Sequence, residues 1–378
     1  MVDPEYQKWR IVNLDRCCSE LRVGGTKTFL EVIFRDHDWL VLLLARPAFR
    51  PEAPRVCLPP LDASRSELGR LDLPPEIIYT IFDHIDAHGD VVALAVTHRL
   101  LSVTGWHRLV RIRRARFTLR NWAGDHIIMV GELSESLPEG MALKKVKEVV
   151  WDPEHNFFGA LRAEGHPAGS KPNSQSPTLN ESDDSDYESE VGDCVEFEDS
   201  GERSFFWYTD GRYPQIFGYR AEERDWKLYR GKSARSELDN QRANMFYEST
   251  APYYPAASEW ALCNSTKKEY VLASTIASIP PWQSGCEARG PFIVQGRDGD
   301  LIFDIGALAL LLTAWSTDME SLGEPGPWAG DQLAILRVED IEGEGGKKGW
   351  VDVSEKMHER VRQWLTHHQV YLKQNFGL

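Results

Sequence analysis

The feature that most constrains the fold of this chain is a block of four residues that occurs twice. Trp-Ala-Gly-Asp stands at residues 122–125 and again at 328–331, and a strand-like apolar run follows each copy. Upstream of each copy, residues 9–16 and 260–267 also match loosely, because Trp, Asn and a basic residue hold the same offsets. Since tryptophan is a rare residue, two matches in the same order predict an internal duplication.

The spacing between the two blocks differs between the copies. Their tryptophans are 113 positions apart in the first copy and 68 apart in the second, a difference of 45. Apolar stretches of similar character, 29–45 and 301–314, lie between the blocks in both copies. The excess in the first copy is close to the length of the segment 71–112. We therefore expect two copies of one α+β module, with a helical subdomain inserted in the first.

The segment 71–112 has the pattern of short helices. Two prolines and Glu76 are typical of a helix start, and Ile77, Ile81 and Ile85 follow at the spacing of one helix face. Residues 86–89 are expected to break this helix and Asp90 to cap a second one, after which a third continues from Arg99. Three short helices bury too little surface alone, so this unit is expected to lean on a partner.

The same segment resembles the F-box motif in its fungal form. The resemblance rests on Leu73-Pro74-Pro75-Glu76-Ile77, on Ile81 and Ile85, on Asp90-Val91-Val92, and on Leu94 and Arg99. It implies that the helices pack into a groove of a Skp-type adaptor, and that the protein recruits targets to a cullin–RING ubiquitin ligase without catalysing a reaction itself. The adaptor-binding residues that it implies are Leu73, Pro74, Ile77, Ile81, Ile85, Val91, Leu94, Leu100 and Leu101.

The blocks around this segment are similar to those of a group of fungal proteins that carry an F-box beside them. The resemblance rests on residues 122–131, 264–271 and 328–331. It covers most of the chain outside the acidic stretch, and it implies no particular biochemical activity.

These observations predict an α+β chain of seven parts. We expect the first module in two pieces around a Pro-rich linker and the F-box, then a disordered acidic linker, a bridging segment and the second module. The expected ranges are 1–50 and 113–162 for the first module, 51–70 for the Pro-rich linker, 71–112 for the F-box, 163–205 for the acidic linker, 206–258 for the bridging segment and 259–378 for the second module.

Charge and cysteine usage narrow the partners and the compartment. The formal charge is −15, but residues 181–202 hold 11 acidic residues and no basic one, which leaves −4 for the rest. A near-neutral remainder argues against nucleic acid as the main partner. The sequence shows no membrane span, no signal peptide and no Cys-x-x-Cys pair among its six cysteines. We expect a cytoplasmic or nuclear protein whose partners are an adaptor, a cullin and an unknown target, with no membrane, metal or cofactor.

Two further interpretations stay open at this point. Asp125 and Asp331 follow a glycine in both copies, and equivalent acids of this kind could bind a cation or another ligand; the alternative is a turn in which Gly supplies a positive φ. The function could accordingly be that of a small-ligand or metal-binding module. It could also be that of an interaction protein outside the ubiquitin system, with a degenerate F-box.

Near the C-terminus, the stripe Met357, Val361, Trp364 and Leu365 predicts a helix packed on the core.

Overall fold

The computed structural model describes residues 8–16, 18–20, 29–34, 37–52, 65–132, 134, 138, 237–279, 286–294, 303–316, 324–343 and 349–376. These residues form a mixed α+β fold. The α-helices are α1 (Phe29–Ile33), α2 (Asp38–Leu44), α3 (Pro75–Asp83), α4 (His88–Ala95), α5 (Arg99–Arg120), α6 (Glu237–Ser249), α7 (Ala273–Ala277), α8 (Ile305–Thr313), α9 (Val338–Gly343), α10 (Ser354–His367) and α11 (Gln369–Phe376). The strands are β1 (Trp9–Asn13), β2 (Cys18–Glu20), β3 (Asp125–Gly131), β4 (Trp260–Asn264), β5 (Glu269–Leu272), β6 (Glu287–Arg289), β7 (Phe292–Val294), β8 (Ala314–Trp315), β9 (Gln332–Arg337) and β10 (Val351–Asp352).

Within these ranges, no helix combines the length and the apolar character that crossing a membrane would require.

Eight of the strands form one sheet. Seven of them follow the order β10-β5-β4-β9-β3-β1-β2, and β8 pairs with β3. At the centre β3 and β9 run antiparallel, with Asp125 opposite Leu333. The two repeated Trp-Ala-Gly-Asp blocks therefore meet in the middle of the sheet. We call β2-β1-β3 the first half-sheet and β5-β4-β9 the second half-sheet.

The two half-sheets have the same strand pairing. In each, the strand that carries the block Trp-x-x-x-Asn lies antiparallel between a short edge-side strand and the central strand. The matching Cα pairs are Asn13–Cys18 with Asn264–Glu269, and Asn13–Ile127 with Asn264–Leu333. A one-residue slip would turn the apolar side chains of a strand to the other face, so buried residues fix this register strongly.

The tryptophans of the repeated blocks are buried in the core that packs on this sheet: Trp9, Trp122, Trp260 and Trp328 are each at most 1% exposed. The N–H groups of Trp122 and Trp328 donate to the carbonyls of Leu43 in α2 and Leu312 in α8, at 2.7 and 2.8 Å. Each block is thereby tied to one core helix. Helix α8 is buried along its whole length, as expected for a helix that is apolar on all sides.

Helices α3, α4, α5 and α6 share a separate apolar core, which we call the helical unit. Its buried residues are Leu68, Ile78, Phe82, Val91, Val92, Ala95, Leu101, Trp106, Leu109, Val110, Ala243, Phe246 and Tyr247. Gly105 lets α5 approach α4 closely, because a Cβ there would lie 2.4 Å from the Cβ of Ala95. Helix α6 completes this core from a distant part of the chain, and the ring of Phe246 meets that of Trp106 edge-on at 5.7 Å.

The helix boundaries differ from the sequence-based expectation in two places. Helix α5 has 22 residues and continues to Arg120, so the boundary expected at 112 falls inside it. No proline interrupts residues 99–120, and the extended ψ of Asn121 ends the helix. Helix α4 begins at His88 and includes Gly89. The sequence analysis placed both residues in the break between two helices and placed the N-cap of the second helix at Asp90.

Several predicted segments lie wholly or partly outside the described residues. This holds for the acidic linker 163–205 and for residues 139–162 of the first module. Of the Pro-rich linker 51–70, the described part includes a 3-10 helix over Arg65–Leu71. Of the bridging segment 206–258, residues 237–258 are described, and they supply α6 to the helical unit.

Candidate functional site

The residues that the resemblance assigns to adaptor binding differ widely in exposure. Val91 and Leu101 are buried inside the helical unit. Leu73, Ile85 and Leu94 are half-buried and pack against its core, and Ile81 is also half-buried. Pro74, Ile77 and Leu100 are exposed. In the conformation described, these last three are the most accessible to a partner, whereas Val91 and Leu101 hold the helices together.

Helix α3 buries the apolar residues that lie beside the stripe assigned to adaptor binding. Ile78 and Phe82, one turn apart, are buried, whereas Ile77 is 47% exposed. The neighbouring helix causes this choice, because the Phe82 ring fills the space beside Gly105. Ile77 and Ile81 lie next to the inward face, so α3 carries apolar side chains both inside and outside the helical unit.

Helix α5 carries a second exposed apolar pair near its start. Leu100 is 47% exposed and Val103, three residues later on the same face, is 44% exposed. Tyr79 on α3 is exposed to the same degree as Leu100. Val103 and Tyr79 were not among the predicted adaptor-binding residues. The i, i+3 spacing from Leu100 was the available signal for Val103, but periodicity alone does not say which face of a helix meets solvent.

Ion pairs and backbone contacts hold α3 against α5. Arg108 Nε and Nη2 donate to the carbonyl oxygen of Ile85 at 3.1 and 3.0 Å, and Nη2 also meets Asp86. Arg111 pairs with Asp83. These contacts fix the end of α3, so the exposed side chains of α3 and α5 are presented on one braced pair of helices.

His88 lies deep in the helical unit beside basic residues. The Arg116 guanidinium lies 3.2 Å from its Nδ1. Burial, together with the nearby charges of Arg116, Arg113 and Arg120, lowers the pKa of His88 to about 3. His88 is therefore neutral at physiological pH.

The Asp125 carboxylate belongs to a closed set of contacts that we call the first clasp. Asn13 Nδ2 donates to Asp125 Oδ2 at 2.8 Å, and Arg16 Nε donates to the same oxygen at 2.6 Å. The Asn13 side-chain oxygen accepts from the backbone N–H groups of Asp15 and Arg16 at 3.1 and 3.0 Å. Asn13 is completely buried; its oxygen closes the β1–β2 turn, and the two bonds to Asp125 tie this turn to β3.

The Asp331 carboxylate has the same arrangement in the second clasp. Asn264 Nδ2 donates to Asp331 Oδ2 at 2.7 Å, and Lys267 Nζ lies 3.1 Å from that oxygen. The Asn264 side-chain oxygen accepts from the backbone N–H of Lys267 at 2.9 Å. Asn13 and Asn264 were not predicted as site residues, although the matching offsets of Asn and a basic residue were the signal that pointed to them.

The glycine before each aspartate has the backbone conformation expected for a turn. Gly124 has φ 95° and Gly330 has φ 77°. The Gly124 N–H donates to the carbonyl of Leu333, and the Gly330 N–H donates to that of Ile127, at 2.7 and 2.8 Å. Both glycines therefore have the positive φ of the turn interpretation, while the carboxylates bond to distant side chains. No group of three or more metal-ligating side chains occurs among the residues described, and both carboxylates already hold an amide and a cation.

One difference between the clasps affects a buried indole. Trp328 Nε1 donates to Glu269 Oε2 at 3.0 Å. At the matching register position of the first half-sheet stands Cys18. The buried Nε1 of Trp122 has no hydrogen-bond partner within the described ranges. A buried donor without a partner is costly, so the first half-sheet carries an unsatisfied indole where the second half-sheet has a satisfied one.

A groove lies beside the second clasp, where α10 passes over it, and we call it the α10 groove. Its volume is 520 Å³, and its lining residues are Lys267, Glu269, Pro327, Trp328, Lys356, Met357, Glu359, Arg360 and Gln363. The predicted stripe of α10 is confirmed, because Met357, Val361, Trp364 and Leu365 are buried. Burial, together with the neighbouring His367, lowers the pKa of His368, just after α10, to about 4.

Comparisons of the sequence and structure with protein-family models, with curated proteins and with solved structures found no match.

Proposed function

We propose that this protein is an F-box substrate receptor: the helical unit binds a Skp-type adaptor, and the rest of the chain brings a target protein to a cullin–RING ubiquitin ligase. The protein then acts by binding rather than by catalysis. The proposal starts from the F-box-like pattern of residues 71–112, and one structural observation supports it most. Helices α3 and α5 carry large exposed apolar side chains in addition to a complete inner core.

The exposed set suits an apolar helix-to-helix interface. Ile77, Tyr79, Leu100 and Val103 are each between 44% and 47% exposed, on helices that Arg108 and Arg111 brace against each other. Large exposed apolar side chains on ordered helices are a feature of protein interaction sites. We assign adaptor contact to Pro74, Ile77, Ile81 and Leu100 within the predicted set, together with Val103. Leu73, Ile85, Val91, Leu94 and Leu101 support them from the inner side.

We further infer that the sheet arose from two related α+β modules and that the helical unit is inserted in the first. The identical register of the half-sheets and the two clasps support this inference. The ties between each Trp-Ala-Gly-Asp block and its core helix support an insertion between α2 and Trp122. Between Ala45, just after α2, and Trp122 lie 76 residues, whereas 13 lie between Ala314, just after α8, and Trp328.

The test is co-purification of the full chain with a fungal Skp-type adaptor. The variant Ile77→Asp with Leu100→Asp places two charges on the exposed apolar set, and because both side chains are 47% exposed we expect it to fold. Desolvating two carboxylates at an apolar interface is costly, so we expect adaptor binding to fall at least a hundredfold. Circular dichroism and urea unfolding check that the variant is folded.

The matched control is Val370→Asp, at a side chain that is 69% exposed on α11. It adds an exposed charge far along the sequence from the helical unit and should bind the adaptor like the wild type. Failure of the wild-type chain to bind the adaptor would overturn the proposal. Equal binding by the folded double variant would overturn the assignment of the interface.

A further inference from the structure

The C-terminal end of α5 is the point where the helical unit joins the sheet. The helix ends at Arg120, and only Asn121 separates it from the first repeated block. The last four carbonyls of a helix have no partner within the helix. In α5, the Phe117 carbonyl accepts from the backbone N–H of Asn121 at 2.8 Å. The carbonyls of Thr118 and Leu119 take their partner from another part of the fold.

That partner is Arg16 of the first clasp. Its Nη1 donates to the Leu119 carbonyl and its Nη2 to the Thr118 carbonyl at 3.4 Å, while Nε holds Asp125 at 2.6 Å. A guanidinium can make all three contacts because it presents five donors in a fixed fork. Its positive charge also lies at the negative end of the α5 dipole. The β1–β2 turn, β3 and α5 are therefore joined by one side chain.

Asn121 provides a second link, between the ends of α5 and α2. Its Nδ2 donates to the Ala45 carbonyl at 2.8 Å and lies 3.4 Å from the Leu42 carbonyl. Its Oδ1 accepts from the backbone N–H of Ala123 at 2.9 Å. Because Asn121 is buried, water does not easily replace these bonds.

The second half-sheet has different residues at both of these positions, and its repeated block does not follow a helix of the helical unit. Lys267 stands in place of Arg16, and its single nitrogen holds Asp331 at 3.1 Å and donates to the Pro327 carbonyl. Pro327 stands in place of Asn121 and has no side-chain donor. The clasp itself is the same in both halves, so the two differences occur where α5 meets the first half-sheet.

We propose that Arg16 is a positioning residue, which together with Asn121 fixes α5 in one orientation on the sheet. Arg16 is not among the residues assigned to adaptor contact, and it acts through α5. The exposed apolar side chains of α3 and α5 keep that orientation, since α3 is braced against α5. In a receptor of the proposed kind, the orientation decides where the target is held relative to the adaptor, and this consequence rests on the proposed function.

The test measures the distance between the helical unit and the sheet in the full chain without an adaptor. Nitroxide labels on p-acetylphenylalanine, which replaces the exposed Tyr79 on α3 and Val351 on β10, avoid the six native cysteines. Pulsed electron paramagnetic resonance then gives the distribution of distances. Arg16→Lys keeps the charge beside Asp125 but lacks the fork. We expect a single narrow distribution in the wild type and one about twice as wide in the variant, because the end of α5 loses two contacts.

The matched control is Lys267→Arg, the reverse exchange at the second clasp, which should leave the distribution unchanged. A second label pair at Tyr79 and the exposed His107 lies within the helical unit and should also give the same distribution in Arg16→Lys as in the wild type. Urea unfolding checks that both variants are folded. An unchanged width in Arg16→Lys, an equal widening in Lys267→Arg, or a widening within the helical unit would each overturn the inference.

Adaptor affinity separates this inference from the proposed function. Arg16→Lys leaves the exposed side chains of α3 and α5 in place, so it should bind the adaptor within about twofold of the wild type. A larger loss of affinity would mean that Arg16 shapes the helical unit itself, and would overturn the positioning role. Failure of the wild-type chain to bind the adaptor leaves the distance result standing, and an unchanged distance distribution leaves the proposed function standing.

Discussion

The two half-sheets share one hydrogen-bonded plan and differ in what surrounds it. In the first half, Asp125 Oδ2 accepts a hydrogen bond from the Asn13 amide and pairs with Arg16. In the second half, Asp331 Oδ2 accepts from the Asn264 amide and pairs with a lysine. Helices α3, α4 and α5 of the helical unit lie between β2 and β3 of the first half-sheet in the chain, whereas the second half-sheet borders the α10 groove.

This comparison separates residues that maintain the fold from residues that are free to take on a function. The buried Asn and the carboxylate close the turn in both halves, so both are explained by structure alone. The cation and the residue opposite the Asn differ between the halves: Arg16 and Cys18 in the first, Lys267 and Glu269 in the second. A function is therefore more readily assigned to the cation position and to the position opposite the Asn than to the aspartates.

The largest expected effect comes from removing the clasp amides. Asn13→Ala and Asn264→Ala each remove the amide donor of a half-buried carboxylate and the acceptor of the turn N–H groups, and both asparagines are completely buried. We expect each variant to lose about 3 kcal/mol of unfolding free energy, the upper range for an unsatisfied buried group. Urea unfolding of both variants beside the wild type measures the two losses.

If the two clasps are equivalent, Asn13→Ala and Asn264→Ala should lose the same amount of unfolding free energy. Ser19→Ala is a suitable control, because it removes another buried polar group of the first half-sheet without touching the clasp bonds. A loss at one asparagine that is less than half of the loss at the other would break the comparison between the half-sheets.

A second effect should come from the helical unit, which only the first half carries. The pKa of His88 is lowered to about 3 in the folded protein, from an ordinary value of 6.5. Below pH 6.5 the unfolded chain binds a proton that folded His88 does not, so stability is complete above pH 6.5 and falls as the pH drops towards 3. The contribution lost between pH 7 and pH 5 is about 2 kcal/mol.

The measurement compares urea unfolding at pH 7 and pH 5 for the wild type and His88→Gln. Glutamine does not titrate and keeps an acceptor for Arg116, whereas all other titrating groups stay the same in both proteins. We expect the loss of stability on acidification to be smaller in the variant by about 2 kcal/mol. The same pH dependence in both proteins would show that His88 is not the acid-sensitive group.

The sequence was sufficient to predict an α+β fold and to locate its two central strands, but not the contacts between them and the rest of the sheet. Repeated Trp-Ala-Gly-Asp located both central strands, and Gly124 and Gly330 have the positive φ that the turn interpretation required. The partners of Asp125 and Asp331 were missed because each lies more than sixty positions away in the chain. Only the pairing of strands brings Asn13 and Asn264 to them.

The helical unit shows a different limit. In α3, apolar residues at 77, 78, 81, 82 and 85 cover more than one helix face, so the periodicity does not decide which edge is buried. Gly105 and Trp106 of α5 decide it, by leaving room for Phe82. The end of α5 was also missed, since no strong stop signal precedes Asn121, and α6 comes from a segment without any local sign of this packing.

The smallest expected effect is also the sharpest test of the difference between the halves. Trp122→Phe and Trp328→Phe remove the same atoms from two fully buried indoles, so the loss of apolar contact is alike. Only Trp328→Phe also breaks a hydrogen bond, the one from Nε1 to Glu269, and leaves a half-buried carboxylate oxygen without that donor. We therefore expect Trp328→Phe to cost about 1 kcal/mol more of unfolding free energy than Trp122→Phe, as measured by urea unfolding.

Adding Glu269→Gln to both variants is the control. It should narrow the difference between the two losses of unfolding free energy, because the carboxylate that loses its donor is then absent. A Trp122→Phe cost equal to or above that of Trp328→Phe would mean that the Trp122 Nε1 is satisfied after all, and that the two half-sheets are more alike than their residues opposite Asn13 and Asn264 indicate.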